Sequence, residues 1–193
     1  GQVNLESKAL ANVSNLTANA FQFVDDTNIG TPSLGVAVTT QGSASSVTLN
    51  NFTSGSTLTL ENQDGTHIVN VQNNTAADVF NLVTGADGNL GSVTANWAET
   101  VNIDTLGGPG SDTLVLNDTS AKTITATGGD DLTIDTDSTK ISLFDASSLG
   151  GKLTWAADAN TVAITVKTGS GGSDVDFSAI AIPGLAPITF LGG

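Results

Sequence analysis

The sequence predicts an all-β fold: a right-handed parallel β-solenoid with short strands about every ten residues. Three observations carry that expectation. Short apolar-alternating runs (TLVL, TITAT, LTID, ISLF, KLTW and VAITV) begin at Thr113, Thr123, Leu132, Ile141, Lys152 and Val162, a step of nine to eleven residues. Their β-branched residues suit stacked pleated faces, and ND, GGDD, DTDSTK, DASSLGG and AADANT between them are turn material. The acids are biased as well. Of 19 Asp and Glu residues only Glu6, Glu61 and Glu99 are Glu. Asp competes with the backbone for hydrogen bonds, which disfavours helix interiors and favours turns. Glycine is abundant, at 22 residues, while aromatics make up 5% and Tyr is absent. An antiparallel sandwich also shows turn signals every 8–12 residues or so. The shortness and sameness of these runs favour stacked coils.

Taken in chain order, residues 1–30 read differently from the rest. SKALANVSNLTANAFQF fits a short helix or two irregular coils, because Leu10, Val13, Leu16 and Phe21 keep neither the helical nor the strand period. This segment is expected to cap the solenoid. From 31 to 193 the strand spacing is continuous: SVTLNNF (46–52), TLTLEN (57–62), HIVNVQN (67–73), DVFNLV (78–83) and AETVNID (98–104) lead into the six runs above. No linker, charge block or low-complexity tract interrupts them, so one elongated domain is expected. The end stretches GQVNL and PITFLGG enter and leave strands without cap residues. Terminal solenoid coils need polar caps, and open strand edges invite pairing, so the chain is expected to be a fragment of a longer protein.

Charge narrows the partners. The net charge is -14, and the five cations are Lys8, Lys122, Lys140, Lys152 and Lys167. Such a chain repels nucleic acid and anionic lipid and attracts cations. No apolar run approaches the ~20 residues that span a bilayer, so membrane insertion is not expected. There is no cysteine, which removes disulfides and thiolate metal sites.

One stretch carries specific chemistry. GGPGSDTLV, residues 107–115, fills every fixed position of GGxGxDxUx, the nonapeptide that binds calcium in RTX-type parallel β-rolls. Calcium takes about six to eight oxygens and mixes carboxylates with backbone carbonyls. Glycine permits the positive φ that turns carbonyls inward, Asp supplies charge, and the apolar residue two positions on anchors the next strand. Gly108, Gly110 and Asp112 are therefore candidate calcium-binding positions. TGGDDLT keeps the second half of the motif if Leu132 takes the apolar position, which nominates Gly128, Asp130 and Asp131. GSGGSDVDF supplies Gly172 and Asp174 but has Asp176 where the apolar residue belongs. AADVFNL keeps Asp78 and Phe80 but lacks the glycine. The alternative for each Asp is a solvated turn cap. Asp112, with the whole motif around it, reads as a ligand, and Asp130 with Asp131 reads equally well either way.

The run DVFNL…AETVNID…SDTLVLNDTSAKTITATGGDDLTIDTDSTKISLFDASSLGG, from Asp78 to Gly151, resembles the C-terminal crystalline domain of Caulobacter-type surface-layer (S-layer) proteins. Residues 1–75 resemble it only in style. The resemblance implies a calcium-dependent β-solenoid, exported by type I secretion, whose copies tile into a lattice on the cell surface. It also implies a cell-surface polysaccharide as a candidate anchoring partner. Its RTX-type positions correspond to Gly108, Gly110, Asp112, Gly128 and Asp130. The chain departs from the pattern in having one complete nonapeptide, which leaves the number of ions open. Large RTX adhesins share similar coils.

The remaining candidates read as ordinary structure. His67 is the only histidine and lacks zinc-site companions, so it is expected to be an exposed strand-edge residue. Trp97 and Trp155 are expected to be core plugs or coil caps rather than a sugar platform. Five N-x-S/T triplets, at Asn12, Asn15, Asn51, Asn73 and Asn117, follow from an Asn- and Thr-rich composition. A polysaccharide-acting parallel β-helix enzyme is the rival class. Without Arg or Tyr, and with scattered lysines, the chain lacks the usual donors for stabilising an enolate-like charge. An ice-binding face of stacked Thr rows is a further alternative. The expectation is a non-enzymatic, calcium-stabilised structural domain of a secreted surface-layer protein that self-assembles at the cell surface.

Overall fold

The computed structural model describes residues 15–18, 37–41, 46–61, 65–72, 75–85, 87–106, 110–180 and 187–193. Sixteen strands and no helix occur among them. The first eight are β1 (Asn15–Ala18), β2 (Ala37–Gln41), β3 (Ser46–Phe52), β4 (Thr57–Glu61), β5 (Thr66–Val71), β6 (Val79–Thr84), β7 (Gly88–Asn96) and β8 (Thr100–Thr105). The second eight are β9 (Ser111–Asn117), β10 (Thr123–Gly128), β11 (Asp131–Thr136), β12 (Leu143–Leu149), β13 (Leu153–Ala156), β14 (Ile164–Thr168), β15 (Ser173–Asp176) and β16 (Ile188–Leu191).

From β2 onward, successive strands alternate between two sheets. The even-numbered strands, with β1 at one end, form a nine-stranded sheet; the odd-numbered strands from β3 to β15 form a seven-stranded one. Every pairing for which register is defined is parallel, for example β6 on β8 and β9 on β11. The chain is thus an all-β parallel solenoid of about 6 turns. Each coil comprises two strands and two turns, so the ten-residue step of the sequence is half a coil.

Alternation places the core. In β6 and β8, Phe80, Leu82, Val101 and Ile103 point inward and are fully buried, while Asn81, Val83, Asn102 and Asp104 lie on the outer face. Parallel register stacks like on like: Phe80 on Val101, Val101 on Ile124, Ile124 on Phe144 and Phe144 on Val166. Trp155 is the largest buried side chain. Its ring lies 4.5 Å from that of Phe144 and 6.0 Å from that of Phe177, and its indole N–H donates to Thr136 Oγ1 at 3.1 Å. That satisfies the one polar atom the indole carries into the core.

Three expectations are corrected. His67 is not an exposed edge residue: it is 1% exposed, because β5 alternates with His67, Val69 and Val71 inward and Ile68 outward. Burial holds its pKa below the ordinary value, favouring a neutral imidazole. Trp97 is neither core plug nor buried cap. It lies 45% exposed in the turn before β8 with φ of 70°, a left-handed conformation that is an outlier for a bulky residue. Within 1–30, where a short helix or two irregular coils were expected, residues 15–18 form a strand stacked parallel on β2, which excludes a helix there; the rest of that segment lies outside the described residues.

Candidate functional site

The solenoid has two edges, each a stack of turns, and the glycine motif lies on one of them. Here the chain passes from the nine-stranded to the seven-stranded sheet, through the turns after β6, β8, β10, β12 and β14. Glycine is required at specific points of this edge. Gly128 has φ of +108°, and a Cβ there would collide with the Thr105 carbonyl of the preceding coil. Gly110 leaves the space that the Asp87 carboxylate of the preceding coil occupies. The close stacking of these turns therefore depends on missing side chains.

Asp112 is the second residue of β9 and points into the solenoid, in the inward column shared with Leu132 and Leu153. It is fully buried. Thr84 donates its hydroxyl to Asp112 Oδ2 at 2.6 Å, whereas Oδ1 is buried with no hydrogen-bond partner. Burial pushes its pKa up, hydrogen bonding from Thr84 and from the Gly88 main chain opposes that, and the carboxylates of Asp130 and Asp87 add to the upward push. Asp130, 3% exposed, accepts the N–H of Gly110 in the preceding coil at 3.0 Å, and its own N–H donates to Thr105 Oγ1 at 3.3 Å. Three acids from three successive coils thus converge on one edge, with hydroxyls of Thr84 and Thr105 between them.

The motif positions fare unequally. Gly110, Asp112, Gly128 and Asp130 come together, although not in the expected register: Leu132 pairs with Asp112, so Asp130 stacks beside Gly110 rather than on Asp112. Asp131 points outward and accepts the Lys152 N–H at 2.6 Å, fastening the following turn. Gly172 takes φ of +88° in the last turn of this edge, but Asp174 faces solvent on β15, 4.0 Å from the Lys152 ammonium. Asp78 belongs to the opposite edge, where Thr75 donates to both of its carboxylate oxygens. Gly108 lies outside the described residues. Asp87, Thr84 and Thr105 join the site without having been flagged by the motif. The only sequence signal for the two threonines is that each ends an apolar strand one position before its turn.

The donor set is entirely oxygen, which suits a hard cation such as calcium. The partnerless Asp112 Oδ1 is the observation that fits such an ion, since a buried acceptor without a donor is costly. Among the described residues no three His, Cys, Asp or Glu side chains gather closely enough to chelate a metal by themselves. An ion here would take one or two carboxylates and complete its shell from main-chain carbonyls and water, a mixture calcium accepts. Comparison with protein-family models, with curated proteins and with solved structures gives no match.

Proposed function

We propose that this chain is a calcium-stabilised structural domain of a secreted surface-layer protein, non-catalytic, whose copies assemble into a lattice on the cell surface. The observation that carries the calcium reading is Asp112: a fully buried carboxylate with one orphaned oxygen, facing the acids of neighbouring coils. Asp112, with one of its neighbours Asp130 or Asp87, would hold the ion together with main-chain carbonyls and water, the glycines at 110 and 128 letting the turns close around it. Calcium would neutralise the repulsion among these acids and tie successive coils together. The surface-layer part rests on the ordered resemblance from Asp78 to Gly151, a run that extends from the turn before β6 to the turn before β13.

The test is a thermal melt in chelator and in millimolar calcium. Binding to the folded form alone stabilises it by about 2.7 kcal/mol at a hundred times Kd, so the Tm should rise clearly. Asp112→Asn should reduce that rise. Asp174→Asn, which shares the motif but faces solvent, should keep it. A calcium-independent Tm in the parent chain would overturn the calcium reading. Negative-stain imaging addresses the lattice: two-dimensional arrays in calcium support it, and dispersed particles at every calcium concentration refute it.

A further inference from the structure

The opposite edge, where the chain returns from the seven-stranded to the nine-stranded sheet, carries a second group of acids outside any glycine motif. Its turns supply Asp78, Glu99, Asp118 and Asp137. They form a repeated linkage between coils. The Glu99 carboxylate accepts the Asp78 N–H at 2.9 Å, and the Asp137 carboxylate accepts the Asp118 N–H at 2.6 Å.

Within this ladder two buried acids differ. Asp78 has both oxygens met by Thr75. Asp118, 2% exposed, accepts the Ser120 N–H at 2.8 Å on Oδ1, while Oδ2 is buried with no partner. Among the described residues no cation pairs with it: Lys122 and Lys140 lie in turns of this edge but are exposed and form no ion pair. The ion pairs among the described residues are Lys152 with Asp174 and Lys167 with Asp145, neither at this edge. Burial raises the Asp118 pKa, its hydrogen bonds from Ser120 and Ala121 oppose the rise, and Asp137 and Glu99 add to it, so both acids act on the orphaned group. A buried carboxyl group with a spare oxygen, flanked by two further carboxylates and no paired ammonium, can ionise at little cost only beside a positive charge.

We propose that this edge holds a second divalent-cation site, with Asp118 Oδ2 as the inner ligand and Asp137 or Glu99 as the outer carboxylate. It is separate from the Asp112 site and stands or falls without it. Because the three side chains do not chelate alone, main-chain carbonyls and water complete the shell. An all-oxygen donor set selects calcium over softer metals.

Trp97 provides the probe. Its exposed indole sits two residues before Glu99 in the same stack of turns, whereas Trp155 is enclosed in the core. Terbium ion, an oxygen-seeking stand-in for calcium, emits when excited through a nearby indole. The expected result is indole-sensitised terbium emission that excess calcium displaces and that Trp97→Phe removes. Asp118→Asn and Asp137→Asn should each weaken terbium binding at least tenfold, while Asp112→Asn leaves this signal in place. Circular dichroism confirms the fold of each variant; Asp137→Asn, altering a partly exposed side chain, serves if Asp118→Asn fails to fold. Emission unchanged by the Asp118 and Asp137 variants overturns the proposal, as does a signal that Asp112→Asn abolishes.

Discussion

Asp118→Asn should gain stability relative to the parent chain as pH rises in the calcium-free protein, from no gain or a small loss in acid to a gain at alkaline pH. In the folded chain burial, opposed by the Ser120 and Ala121 hydrogen bonds and reinforced by Asp137 and Glu99, lifts the Asp118 pKa from the ordinary 3.8 to about 7. Below about pH 4 the group is protonated folded or unfolded and contributes nothing. Between 3.8 and about 7 the folded chain keeps a proton that the unfolded chain has released, so stability falls as pH rises. Above the folded pKa the full difference applies, on the order of 4 kcal/mol. Asn cannot ionise, so the variant escapes this loss. It does carry an amide NH2 into the buried position, costing about 1–3 kcal/mol if unpaired. That cost does not depend on pH. The diagnostic quantity is therefore the change in the Tm gap between the two proteins from pH 4.5 to pH 8, both in chelator. For a domain of this length about 4 kcal/mol corresponds to roughly 10 °C. A gap that stays constant across this range would refute the argument, because Asp118 would then be ionised throughout or accessible to water.

Other expectations follow from packing and charge. Trp155→Ala empties the largest buried position and should cost about 3–5 kcal/mol in urea unfolding; a loss below about 1 kcal/mol would mean the core collapses around it. Gly128→Ala must adopt a left-handed φ and displace the Thr105 carbonyl, so a loss of at least about 1–3 kcal/mol is expected. Gly55→Ala serves as its comparison, since its φ is +84° but nothing lies within 4 Å of the added methyl. Equal losses at both sites would assign the whole effect to backbone conformation. Lys167→Met breaks the 2.7 Å pair with Asp145 on a partly exposed face, so the change should stay within about 1 kcal/mol and shrink further in 1 M salt.

The strand pattern was legible because each run satisfies two demands at once, turn residues at its ends and alternation within. SVTLNNF at 46–52 and TLTLE at 57–61 are strands with those bounds. GNLGSVTAN escaped notice for a physical reason. Gly91, with φ of 70°, lies in an irregular stretch of the β7–β9 pairing, so the inward residues Leu90 and Val93 stand three apart and break the period of two. His67 illustrates another limit: HIVNVQN alternates in either phase, and only pairing with β3 and β7 sends the imidazole inward. At the site the motif located Asp112 and Asp130 but not their relation, since that depends on where each turn hands over to its strand. Asp87 was invisible because its role is to fill the gap at Gly110, a contact between coils with no local signature. Asp118 reads as turn material, because nothing in LNDTSAK distinguishes a buried carboxylate from a solvated one.

The alternation of strands between two sheets imposes a rule of parity on length changes. Deleting one full coil, such as β10 with β11 and their turns, shortens the stack but returns every later strand to its own sheet. Deleting a single strand with its turn shifts all downstream strands to the opposite sheet. The downstream turns then change sides together, so acids of the two edges exchange places, and where the deleted strand lies between them, as β10 does, Asp112 no longer meets the coil that carries Asp130. Variation in this protein should therefore come in pairs of strands, and an odd count would scramble both edges at once.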